Sequence, residues 1–169
     1  MGVFIFSIFS IFALSFYYSY QQYVFWESAA PSKYLLPPYV GINYFIQYVG
    51  FKIFGPYLVS LASALIILFL MKSLNKKYEE KFFYSEEPYS AALAMFLSGW
   101  PGALFYFIGL ILIYLISHFF ISIYYKLFLK INLSEVRVSL RLWWIPTAII
   151  AIILSNWLQI TDWWKLLKI

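Results

Sequence analysis

The chain has 169 residues, 64% of them hydrophobic and 11% charged, with a net charge of +5 and a mean hydropathy of +0.80. Soluble domains carry about a quarter charged residues, so this composition excludes a soluble globule and a disordered chain, and the absence of Cys removes disulfides, thiol catalysis and Cys-ligated metal. The twelve Lys and Arg flank apolar blocks, where they fix orientation and meet anionic headgroups, and no basic stripe stands free of the membrane to suit nucleic acid.

Residues 3–25 carry no charge and reach about 34 Å at about 1.5 Å per residue, enough to cross a hydrocarbon core of about 30 Å. No basic region precedes them and they end in bulky Tyr residues, so an uncleaved first span is expected rather than a signal peptide. Residues 26–38 contain Glu27, Pro31, Lys33, Pro37 and Pro38, which predict a proline-broken surface loop. Residues 39–51 are too few to span and predict an interfacial helix, or the extended foot of the next span, with Asn43 and Gln47 on one face. Pro56 suits a first helical turn, so a second span is expected over about residues 53–72, ending against Lys72. The polar run from Asn75 to Glu87 comes next, with Lys76, Lys77 and Lys81 interleaved with Glu79 and Glu80 as on a solvated helix extension.

Pro88 predicts the start of a short helix, residues 89–98, which Gly99-Trp100-Pro101-Gly102 ends. Ser90, Ala94 and Ser98 form a small-residue stripe along it, the pattern that lets membrane helices approach closely. At about 17 Å this helix covers half a bilayer, so it is either a short crossing or a re-entrant half-helix. Residues 102–125 are long enough to cross with tilt, 126–141 form a basic loop, and 142–160 form a last span. Clusters of Tyr and Trp at span ends, such as Tyr17, Tyr18 and Tyr20, or Trp163 and Trp164, read as interfacial belts. The expected fold is therefore all-α: one membrane domain over 1–169, with four full spans, one short helix and an interfacial helix.

Charge counting favours a crossing short helix. If it crosses, eight basic residues (72, 76, 77, 81, 126, 130, 137 and 141) share one side and four (33, 52, 165 and 168) the other. If it does not cross, the division is six against six. The positive-inside rule then places the amino terminus in the cytoplasm, in what is expected to be a prokaryotic inner membrane.

Ionisable residues inside membrane segments are functional candidates. His118 lies in the 102–125 helix with Tyr114 one turn back and Ser122 one turn on, a setting for a locally bonded structural His; one His without Cys or a neighbouring carboxylate holds no metal. Glu27 and the Glu86-Glu87 pair sit where apolar segments meet loops, and the pair also suits the positive end of a helix dipole. Asn156 and Gln159 offer hydrogen bonds across helices. No phosphate loop, G-x-S-x-G, H-E-x-x-H or lipidation Cys is present, and no cofactor is expected.

The stretch SAALAMFLSGWPGALFYFIGLIL resembles the membrane core of type IV prepilin peptidases. That family has an acidic turn, a short apolar helix, a Gly-Trp break and a long helix. The corresponding segments here are Ser85-Glu86-Glu87-Pro88, residues 89–98, Gly99-Trp100-Pro101-Gly102 and the long helix over 102–125; Tyr34-Leu35-Leu36-Pro37-Pro38 is similar to an upstream family segment. The family's catalysis uses two aspartates. This chain has a single Asp, Asp162, in neither motif, so the resemblance implies Glu27 and Glu87 as the nearest stand-ins. The residues themselves point to a multi-pass protein without its own catalysis, an assembly or scaffold component acting through helix packing. Its partners would be the bilayer and other membrane proteins or further copies of itself. The alternatives are a divergent or degenerate prepilin-peptidase-like protease and a small transporter or channel subunit, the last on the strength of the half-length helix and the Asn43/Gln47 pair.

Overall fold

A computed structural model describes residues 1–78, 83–126 and 140–158. Among these residues the protein is all-helical, with no strand. Three helices are long and apolar enough to cross a membrane: Gly2–Ser28, Asn43–Lys77 and Gly102–Tyr124. Trp144–Leu158 is apolar but shorter. The expected Gln159, Asp162, Trp163, Trp164, Glu79, Glu80, Lys81, Lys130 and Arg137 features lie outside the described residues. The chain divides into two compact units, Met1–Val59 and Ser60–Lys168.

In the first unit α1 (Gly2–Ser28) is followed by a 3-10 turn, Ser32–Leu35, and by α2 (Asn43–Val49). Trp26 anchors the unit. Its ring lies 5.4 Å from that of Phe45 and 4.8 Å from that of Tyr48, and Leu36 and Val49 complete the buried cluster. Phe54 stands edge-on to Phe16 at 5.0 Å, which ties the end of this segment to the middle of α1. Edge and tilted geometries of this kind match the aromatic quadrupole and add to simple burial.

The sequence leaves residues 39–51 as either an interfacial helix or the extended foot of the span expected over about 53–72. The structure has the second arrangement: α2 runs without interruption through a π-helical turn, Gly50–Phe54, into α3 (Gly55–Lys77), giving a continuous helix of 35 residues. The physical reason is Pro56. It lacks an N–H and its ring crowds the preceding turn, and a wide turn just before it accommodates both defects without ending the helix.

In the second unit α3 packs antiparallel to α4 (Glu87–Leu97), then α5 (Gly102–Tyr124) returns, and α6 (Trp144–Leu158) runs in the same direction as α4. Pro88 lies in the first turn of α4. Gly99 closes it with φ 60°, the left-handed conformation of a helix-ending residue that a Cβ disfavours. Its carbonyl then accepts the Ala103 N–H at 2.6 Å, so the chain turns directly into α5.

Candidate functional site

The short helix α4 is the most enclosed element of the second unit. Glu87, Pro88, Ala91, Ala92, Ala94, Met95 and Phe96 are all buried, although an isolated helix of about 17 Å could not hide its ends in a bilayer. Three neighbours enclose it. From α3, the buried Ser60 hydroxyl donates to the Met95 carbonyl at 2.8 Å and to the Phe96 carbonyl at 3.0 Å. These carbonyls belong to the last turn, where intrahelical N–H partners run out, so Ser60 acts as a cap supplied by another helix, beside the Gly99 N–H that Phe96 also accepts. From α5, the wholly buried Tyr106 directs its hydroxyl to the Ala91 carbonyl at 3.4 Å.

The α5–α6 seam closes the cradle through small residues. A Cβ built on Gly102 would lie 3.5 Å from Ser155 Oγ and 3.7 Å from Ser98 Cβ, an ordinary contact. One on Gly109 would lie 3.0 Å from Thr147 Cγ2, so the two backbones approach more closely than a side chain at 109 permits. Thr147 Oγ1 donates to the Trp143 carbonyl at 2.6 Å, which holds its methyl toward that contact. Thr147, Ala151 and Ser155 repeat every four residues on α6 and are all buried.

The start of α4 is also fixed. Asn75 of α3 is buried, and its amide pairs with the backbone of Phe83 in both directions: Nδ2 donates to the carbonyl at 2.8 Å and Oδ1 accepts the N–H at 3.0 Å. Lys72 Nζ donates to Tyr89 Oη at 2.6 Å. Glu87 is 2% exposed and its Oε2 accepts the Tyr84 N–H at 3.3 Å. Glu86 remains outside, with Oε2 4.0 Å from Arg141 Nη2 at the start of α6.

The residues singled out by sequence fall in different places. Ala94 and Ser98 are buried in the cradle and Ser90 is half-buried, its hydroxyl directed to the Glu86 carbonyl at 3.5 Å. Ser98 Oγ bonds back to the Ala94 carbonyl at 2.8 Å, so the polar link between helices comes from Ser60 instead. Glu27 is exposed at the end of α1 in the first unit, whereas Glu87 belongs to the second. Asn43 and Gln47 are exposed on α2. His118 is exposed on α5, with Ser122 Oγ 3.4 Å from its Nδ1 and the Tyr114 ring at 5.9 Å. Among the described residues no group of three His, Cys, Asp or Glu is placed to hold a metal.

Ser60, Asn75, Tyr106 and Gly109 are residues that the sequence alone does not single out. The α6 repeat at 147, 151 and 155 is legible as a small-residue pattern, but a lone Ser or Asn in an apolar helix does not announce its partner. The indole N–H of Trp144 is buried with no partner among the described residues. No family model, curated protein or solved structure matches the chain.

Proposed function

We propose that this protein is a multi-pass membrane assembly component that works through helix packing, without catalysis of its own. The observation that carries this reading is the enclosure of α4, most of whose residues are buried and which is hydrogen-bonded to α3 through Ser60 and Lys72 and to α5 through Tyr106. From Ile111 to Tyr124 no residue of α5 is buried, and most of this apolar surface is exposed. A helix that is apolar all round belongs against lipid or another membrane helix, so this half of α5 is the face offered to the bilayer, to a second copy or to another membrane protein.

A five-pass arrangement fits the same picture. Arg141 at the start of α6 lies beside Glu86 at the start of α4, while Gly102 lies beside Ser98 and Ser155 at the other ends of those helices. If α4 dipped in and returned to the same face, α6 would start on the face opposite α4. Their shared starting end favours a crossing α4. With the charge bias, it also favours an amino terminus in the cytoplasm of a prokaryotic inner membrane.

A second reading is favoured by one observation, the burial of the Glu87 carboxyl in the turn where the prepilin-peptidase resemblance places an acid. Water activation there needs a second carboxyl within reach of the same water, for which hydrogen bonds of about 2.6–3.2 Å are required. The experiment is the double substitution Glu27→Gln, Glu87→Gln, which keeps shape and removes charge. The packing reading expects this variant to retain full complementation of a deletion strain. Loss of complementation together with loss of cleavage of a pilin-like substrate would replace it with the protease.

A further inference from the structure

A niche of about 240 Å³ opens between the turn before α4 and the turn before α6, lined by Tyr84, Ser85, Glu86, Glu87, Ser90 and Arg141. It carries charges of both signs on separate elements, Glu86 on the α4 side and Arg141 on the α6 side. Their atoms are 4.0 Å apart and the side chains are 83% and 70% exposed. An exposed pair at that distance holds together weakly and opens at little cost.

The position of the niche along the membrane normal is set by α3. Nineteen uncharged residues, 53–71, separate Lys52 from Lys72. They extend about 28 Å, close to the thickness of a hydrocarbon core, so Lys72 marks the core's edge. The hydrogen bond from Lys72 to Tyr89 sets the first turn of α4, and the niche beside it, at that same edge. Phospholipid headgroups occupy this layer.

We infer that the niche receives the headgroup of a zwitterionic phospholipid from the surrounding bilayer, its phosphate against Arg141 and its ammonium against Glu86. A headgroup with net negative charge would face two carboxylates, Glu86 and Glu87, and a simple cation would face Arg141; a group bearing both charges meets each with its opposite. The volume suits a headgroup and is below that of sites for larger ligands, about 300–1,000 Å³. This reading is independent of whether the protein is a scaffold or a protease.

The test is lipid retention. The full chain is reconstituted in nanodiscs of equimolar phosphatidylethanolamine and phosphatidylglycerol, released into detergent, and its bound lipid counted by native mass spectrometry. The wild type is expected to retain phosphatidylethanolamine preferentially. Glu86→Gln should lower the ratio of retained phosphatidylethanolamine to phosphatidylglycerol about tenfold, the scale of a lost charged hydrogen bond, and Arg141→Gln should lower retention of both lipids by a similar factor. Lys76→Gln, on an exposed α3 residue outside the niche, should change neither. Both niche substitutions are at exposed side chains, so the helix packing remains intact to be read by circular dichroism. Preference for phosphatidylglycerol in the wild type, or ratios unmoved by both substitutions, would overturn the proposal. Displacement of the intact lipid by equimolar soluble glycerophosphoethanolamine would overturn the bilayer as the source.

Discussion

Asn75 and Phe83 are joined as two strands would be, with one side-chain amide replacing a backbone unit. Eight residues apart, they bracket the connection from α3 to α4 and fix where the acidic turn begins. The pairing requires a donor and an acceptor together. Asn75→Asp keeps the acceptor and loses the donor; Asn75→Leu loses both and leaves two backbone groups of Phe83 to find new partners. We expect Leu to lower stability by about 2–3 kcal/mol and Asp by about half of that. Unfolding in mixed micelles, followed by circular dichroism, measures both. Equal loss for the two variants would show that the Oδ1 acceptor contributes nothing.

Ser60 provides a second test of how α4 is held. Its hydroxyl serves two carbonyls at the end of the helix, one of which, Phe96, also accepts the Gly99 N–H at 3.2 Å. The loss on Ser60→Ala therefore falls mainly on Met95. Hydrogen bonds between membrane helices average about 0.6 kcal/mol and reach about 1.7 kcal/mol. Because this one caps a buried helix end, Ser60→Ala is expected near the upper figure. The same substitution at Ser10, whose hydroxyl bonds back to its own helix at Phe6, should cost less than half as much.

The composition and the long uncharged blocks made the helical membrane character legible, because a continuous apolar run of about twenty residues satisfies its backbone in lipid as a helix, whereas barrel strands alternate and are shorter. The short helix was legible too, since Pro88 and the Gly99–Gly102 break are local signals. The joining of α2 to α3 was only one of two readings the sequence left open. Pro56 reads as a boundary by its own chemistry, and only the preceding π-turn lets a helix absorb it. The cradle was partly visible as the stripe at Ala94 and Ser98. Its polar pins were hidden because Ser60–Met95 and Asn75–Phe83 are pairings of ordinary residues with backbone atoms, which leave no motif.

The approach of Gly109 to Thr147 makes the α5–α6 seam sensitive to a single methyl. Gly109→Ala brings a Cβ to 3.0 Å from Thr147 Cγ2, and Thr147 cannot rotate away without giving up its bond to Trp143. A cost of about 1–3 kcal/mol is expected from overpacking. Gly102→Ala, whose Cβ would meet its nearest neighbour at 3.5 Å, should be tolerated and serves as the control. Thr147→Ser removes the opposing methyl and should rescue Gly109→Ala in a double-mutant cycle. Rescue would assign the cost to this contact, and its absence would assign it elsewhere.

The enclosed stripe on α4 makes a related prediction. Ala94 is 2% exposed, so Ala94→Leu must displace packed neighbours and should also cost about 1–3 kcal/mol. Leu112→Ala, on the exposed part of α5, should leave detergent stability within about 0.5 kcal/mol of the wild type. Unchanged stability in Ala94→Leu would remove the basis for treating α4 as a packing element.

The topology yields the last prediction. Ser85 lies in the turn before α4 and is exposed, and the Glu86–Arg141 contact brings the start of α6 to the same end. In a five-pass chain that end also carries the greater share of Lys and Arg, which the positive-inside rule assigns to the cytoplasm. Cys placed at Ser85 or at Ser134, in the basic stretch of sequence before α6, should resist a membrane-impermeant thiol reagent added to intact cells and react once the cells are opened. Cys at Ser32, in the loop after α1, should react from outside. The chain has no native Cys, so every labelled site is the introduced one. Labelling of Ser85 and Ser134 from opposite faces would mean that α4 does not cross, because the chain between them would then contain a single pass, α5, instead of two.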